Sequence, residues 1–227
     1  MLFEGIRHFI ETTLIAVGAL LPIVDPLGGA PIYLSMLTGL TPLERARMAK
    51  LVAINSFLLL SASILCGAYV LDFFGVSIPA VQVGGGLIVC AIGWSLLQSP
   101  SAPAVSDRSA TAEPDPLTQR AFYPLTMPLT VGPGSISVAV TLGANPPRGL
   151  RSLLSTLLAH VLGVLITAVA IYLCYRYAER ILSRLGTTGT NALIRLTAFI
   201  VFCIGVQITW NGLHTLLDSL LKPAGHS

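Results

Sequence analysis

Residues 20–34 read LLPIVDPLGGAPIYL, and within them Asp25-Pro26-Leu27-Gly28-Gly29-Ala30-Pro31 sets two prolines and two glycines beside a carboxylate in an apolar run. Proline removes a backbone N–H and collides with the preceding turn, while glycine adds backbone freedom, so a helix through these residues unwinds. Residues 9–39 carry only Glu11 and Asp25 as charges, and they exceed the ~20 residues that cross a bilayer at ~1.5 Å per residue. Unwound backbone at membrane depth is tolerated only where protein or a water-filled cavity satisfies it. The stretch predicts a spanning helix broken at a site.

The rest of the chain is of the same kind. Of 227 residues 54% are hydrophobic and 10% charged, against about 25% charged in soluble domains. Charge-free windows cover 51–71, 73–106, 121–147, 152–175 and 196–217. The reading is an all-α polytopic membrane protein with about six spanning segments. A net charge of +3 spread over loops gives no reason to expect nucleic acid as a partner. Cys66, Cys90, Cys174 and Cys203 lie in apolar windows without ligand spacing, so packing is expected and neither metal nor cofactor. The start, MLFEGIRHFIETT, has no basic n-region, and the first segment is expected to be retained.

The stretch at 20–34 has a counterpart in TMPLTVGPGSISVAV at 126–140, where Gly132-Pro133-Gly134-Ser135 repeats the break behind Pro124 and Pro128. Each half continues with a basic turn (TPLERARMAK, NPPRGLR), a long apolar helix, a glycine turn (FFGVSIPA, RLGTTGTNA) and a third helix. Between the halves, QSPSAPAVSDRSATAEPDPLTQ is too polar to bury a core and reads as a flexible linker. The expected organisation is a three-helix repeat at 1–97, a hydrophilic linker at 98–120, a second repeat at 121–221 and a tail at 222–227. Three spans per half invert the second half, as in many secondary transporters. One side then receives Arg45, Arg47, Lys50, Arg108, Arg120, Arg176, Arg180 and Arg184, and the other Arg7, Arg148, Arg151 and Lys222. The richer side is expected to be cytoplasmic, with both termini outside.

Paired breaks in two halves point to a midplane binding site. Half-helix starts near Gly28 and Gly134 offer free N–H groups to a carboxylate. Freed carbonyls with Asp25 suit an ammonium or a small cation, so both poles of a small zwitterionic amino acid find partners. The expected substrate-binding residues are Asp25, Pro26, Gly28, Gly29, Pro31, Gly132, Pro133, Gly134, Ser135 and Arg195. Asp25 is either the carrier of a coupling ion or the cap of the second half-helix, and the roles are compatible. Arg195 either snorkels to the interface or anchors a carboxylate or Asp25. Asn55, Gln82, His160, Gln207 and Asn211 are candidates for a polar path, with helix packing as the alternative. No phosphate loop, nucleophile triad or HExxH is present, and no enzymatic activity is expected.

VDPLGGAPIYLSML, IPAVQVGGGLIVCAIG, PLTVGPGSISVAVTLGA and LIRLTAFIVFCIGVQITWNGL together resemble the MarC family of bacterial inner-membrane proteins, which is similar to the LysE-type exporters. The resemblance spans nearly all of the chain except the linker and the last few residues. It implies six helices, an inner-membrane location and transport of small neutral amino acids such as glycine or alanine. It assigns Asp25, Pro26, Gly28 and Pro31 to the first motif, Gly132 to Ser135 to the second, and Arg195 to the last helix. Gln82 departs from it, because the family often carries arginine there.

The expected function is a secondary transporter of small neutral amino acids coupled to H+ or Na+, working in the lipid bilayer. A passive channel or exporter for other small solutes, or a non-transporting membrane scaffold, are the alternatives. A homo-oligomer is allowed by the sequence.

Overall fold

The computed structural model describes residues 2–37, 39–98, 117–144, 147 and 149–221. Most of the expected linker (99–116) and the tail from 222 lie outside the described residues. Among those described, every regular element is helical: α1 (Leu2–Val24), α2 (Pro26–Met36), α3 (Pro42–Phe73), α4 (Ile78–Gln98), α5 (Leu117–Arg120), a wide-turned segment Ala121–Thr130, α6 (Pro133–Gly143), α7 (Leu150–Arg176) and α8 (Ala178–Leu221).

Five stretches are long and apolar enough to cross a membrane: Glu4–Met36, Pro42–Phe73, Ile78–Gln98, Leu150–Arg176 and Thr188–Ser219. The expectation of six comparable windows needs refinement at 121–147. Its proline-rich first part leaves the ordinary helical path, so only the 11-residue Pro133–Gly143 remains as a regular apolar helix. α8 is likewise divided, at Gly186, whose φ of 65° suits glycine.

Local chemistry places the starts. α2, α3 and α6 each begin with proline in the first turn, where its missing N–H costs nothing. Thr41 and Glu44 close a capping box ahead of α3: the Glu44 amide donates to the Thr41 hydroxyl, and the Thr41 amide donates to the Glu44 carboxylate at 2.8 Å.

Large apolar side chains face outward, as with Leu158 (62% exposed) and Phe199 (55%). Some inner contacts are made at small residues, as between helices packing within lipid, while Leu20, Met48, Leu60 and Ile171 fill others. α4 and α8 form the most extensive contact. A Cβ on Gly93 would run into Phe202, one on Gly205 into Cys90, one on Gly86 into Thr209 and one on Gly212 into Val83. Partner numbers fall as own numbers rise, so the two helices are antiparallel in one continuous register.

The other contacts cross between the halves. α7 packs on α1 and α2, while α3 packs on Ala121–Thr130 and α6. α2 packs on α8, and α6 on α4. Each broken segment thus lies against the second helix of the other half.

Candidate functional site

The two breaks are built differently. At the first, one residue leaves the helix: Asp25 has φ 41° and ψ 63°, the left-handed region that aspartate enters more readily than most residues. The ladder runs up to it and resumes after it, with the Asp25 amide donating to Leu21 at 3.0 Å and the Gly29 amide donating to Asp25 at 2.9 Å. The Gly28 amide donates to Asp25 Oδ1 at 3.0 Å, so the carboxylate caps α2. Gly28 leaves room for this, because a Cβ there would overlap the carboxylate and lie 2.7 Å from Thr197 Oγ1.

At the second break the sequence runs Tyr123-Pro124-Leu125-Thr126 and then Met127-Pro128-Leu129-Thr130. Tyr123 (φ −124°, ψ 125°) and Met127 (φ −118°, ψ 121°) are extended, as residues before proline tend to be. The threonines compensate. Thr126 donates its hydroxyl to the Ala121 carbonyl and Thr130 to that of Leu125, each at 2.7 Å. Val131 and Gly132 then lead into α6, whose start has no side-chain cap. Proline supplies no N–H, and no side chain caps the turn that holds the Gly134 and Ser135 amides. α2 carries its own anion at its start; α6 does not.

Both breaks open on one cavity of about 260 Å³, walled by Asp25, Gly28 and Gly29 from the first and by Gly132, Gly134 and Ser135 from the second. Thr130 adds a hydroxyl, while Val89, Ile92 and Leu96 of α4 and Val201 of α8 supply an apolar side. That lies below the 300–1,000 Å³ typical of drug-sized ligands. Among the described residues no three of His, Cys, Asp and Glu gather to hold a metal.

Six expected binding residues therefore meet at the cavity. Pro26 and Pro31 are buried in α2, and Pro133 lies on the exposed start of α6. None of the three lines the cavity. Arg195 is exposed on α8 and makes no ion pair with Asp25. The α8 side chain beside that carboxyl is Thr197, whose hydroxyl donates to Leu193 at 3.0 Å.

The expected polar path is not continuous. Asn55 Nδ2 stands 3.5 Å from Thr126 Oγ1, and Gln82 donates to Thr141 Oγ1 at 3.3 Å, tying α4 to α6. His160 is buried on α7, with Nδ1 unpartnered. Gln207 donates to Asn211 at 2.9 Å on the exposed face of α8. None of the five borders the cavity.

Sequence reasoning missed Thr130, Thr197 and Tyr175, whose hydroxyl stands 2.9 Å from that of Thr130. The tandem PLT in 124–130 was a usable signal for the first.

A family model described as MarC family integral membrane protein matches residues 9–217. The chain belongs to the MarC family. Relatives named inner membrane protein MarC, from Escherichia coli O1:K1 / APEC and from Escherichia coli strain UTI89 / UPEC, are each 31% identical over 206 residues. The match covers 88% of this chain and 93% of theirs. No solved structure matches. This MarC-family chain is therefore an integral membrane protein of several apolar helices, with relatives that carry an inner-membrane name.

Proposed function

We propose that the protein is a secondary carrier for small neutral amino acids of the glycine and alanine class, coupled to H+ or Na+. The observation that carries this reading is the pairing of unlike poles across one small cavity. Asp25 presents a carboxylate to an ammonium or coupling cation, and the uncapped start of α6 offers the Gly134 and Ser135 amides to a carboxylate. α2 cannot serve the second role, because Asp25 already accepts from its first turn. The apolar wall around Val89 faces the remaining part of the substrate and suits hydrogen or a methyl group.

Two features support an inverted pair of halves. α4 and α8 hold the third place in their halves and run antiparallel, whereas a direct repeat would set them parallel. The Arg45–Glu179 ion pair, at 3.2 Å, puts the α2–α3 and α7–α8 turns at one end. That end carries the richer set of lysines and arginines and is assigned to the cytoplasm, with both termini outside.

The test is counterflow of radiolabelled glycine and alanine into proteoliposomes, comparing the natural chain with Asp25→Asn. Saturable counterflow that the substitution abolishes is expected. Absence of counterflow from well-folded protein, for every small amino acid tried, sinks the substrate assignment. Dependence of the rate on a pH or sodium gradient identifies the coupling ion.

A further inference from the structure

Between the cavity and one end of the bundle runs a relay of contacts. Gly29 and Thr130 belong to the cavity wall. Behind them stands Tyr175, its hydroxyl 2.9 Å from that of Thr130 and 2.8 Å from where a Cβ on Gly29 would lie. The Tyr175 ring stacks on Tyr33, with centroids 4.3 Å apart and planes 14° apart. Tyr33 donates its hydroxyl to the Arg45 carbonyl at 2.6 Å. Arg45 reaches the surface, where it pairs with Glu179, whose side chain is 68% exposed. Both rings are buried, and the members come from α2, α3, Ala121–Thr130, α7 and α8.

The other half closes differently at the corresponding place. Tyr33 is the seventh residue after Pro26, and Val140 is the seventh after Pro133. Val140 packs against Gly67 of α3, where Tyr33 packs against Tyr175 of α7. A broad aromatic stack thus stands where its counterpart is a small aliphatic contact.

We infer that Tyr33 and Tyr175 form a gate between the cavity and the Arg45 end of the bundle, opened by a swing of α2 about Asp25. α2 is 11 residues long and joins α1 through one non-helical residue, the kind of position that absorbs a hinge rotation. A swing of α2 carries Tyr33 off Tyr175 and exposes the route past Gly29 and Thr130. An exposed ion pair contributes little, so closure rests on the rings and the two hydroxyl contacts rather than on Arg45–Glu179. Asp25 is at once the pivot and the carboxylate of the cavity, so a cation or ammonium that binds there acts on the hinge itself. The gate's role in a cycle rests on the carrier reading above; its closed geometry does not.

The experiment uses the full chain with its four cysteines replaced and Ser135→Cys added as a reporter in the cavity wall. Labelling by a charged, membrane-impermeant methanethiosulfonate is timed from each face of oriented vesicles. With Tyr175→Leu, which keeps apolar bulk but loses stacking and the hydroxyl contact, labelling from the Arg45 face is expected to quicken about tenfold or more. The opposite face should show no change. An unchanged rate, or equal acceleration from both faces, overturns the gate. Tyr175→Phe and Tyr33→Phe keep the rings and each lose one hydroxyl contact. They should quicken labelling from that face by about fivefold, and no change in either overturns the gate even if Tyr175→Leu does not fold. Counterflow by the natural chain in separate vesicles separates the two ideas: one-sided acceleration in the reporter chain without amino-acid counterflow in the natural one keeps the gate and sinks the substrate.

Discussion

The Gly28 amide donates to Asp25 Oδ1 at 3.0 Å, so the carboxylate of the cavity is also the cap of α2. The two roles separate by substitution. Asparagine keeps an acceptor oxygen and tolerates the left-handed backbone, whereas alanine provides neither. Asp25→Asn is expected to stay within about 1 kcal/mol of the natural stability while losing counterflow. Asp25→Ala should lose counterflow and about 2 kcal/mol, from the cap and the left-handed conformation together. Unfolding in detergent beside the flux assay checks this, and equal stability of the two variants would refute the capping role.

Gly134 is set by its neighbour. A Cβ there would run into Val89 Cγ2 of α4. Gly134→Ala should destabilise by about 1–3 kcal/mol through overpacking, and Val89→Ala should recover most of that loss. A double-mutant cycle in detergent measures the coupling, and simple additivity would show that the backbone gives way instead.

Val89 also borders the cavity. Alone, Val89→Ala should widen the apolar side and shift selectivity from glycine towards larger neutral amino acids such as valine by about tenfold, the effect of a methylene or two in such a pocket. Competition of unlabelled valine against labelled glycine reads this directly. An unchanged ratio would mean that substrate does not meet α4.

Thr130 serves two partners, donating to the Leu125 carbonyl at 2.7 Å and standing 2.9 Å from the Tyr175 hydroxyl. Thr130→Val leaves both short of a buried partner and should cost about 1–3 kcal/mol. Thr130→Ser keeps the hydroxyl and should restore most of it. Loss in Thr130→Ser with none in Thr130→Val would point to the methyl group and not to the hydrogen bonds.

The parts of this architecture that were legible in sequence are those written in backbone chemistry. Prolines and glycines at 25–31 and 132–135 announce two breaks, and the structure brings both onto one cavity. Rotation about each helix axis was not legible. Residues 198–206 of α8 are wholly apolar, so their hydropathy sets depth but not facing. Arg195 and Thr197 are two residues apart and so point in nearly opposite directions; the conspicuous charge faces out and the plain threonine reaches Gly28. Gln207 and Asn211 do share a face, as their spacing requires, and it is the outer one. The stacking of Tyr33 on Tyr175 joins residues far apart in the chain, and no local pattern records it.

Along α4 and α8 the contact is made where side chains are missing: Gly86 and Gly93 on one helix, Gly205 and Gly212 on the other, each pair seven residues apart. A contact between backbones has few rotamers to rearrange, so it gives little when its surroundings shift. The pair is thus a stiff side of the molecule. The short helices α2 and α6, each only 11 residues long, rest against it.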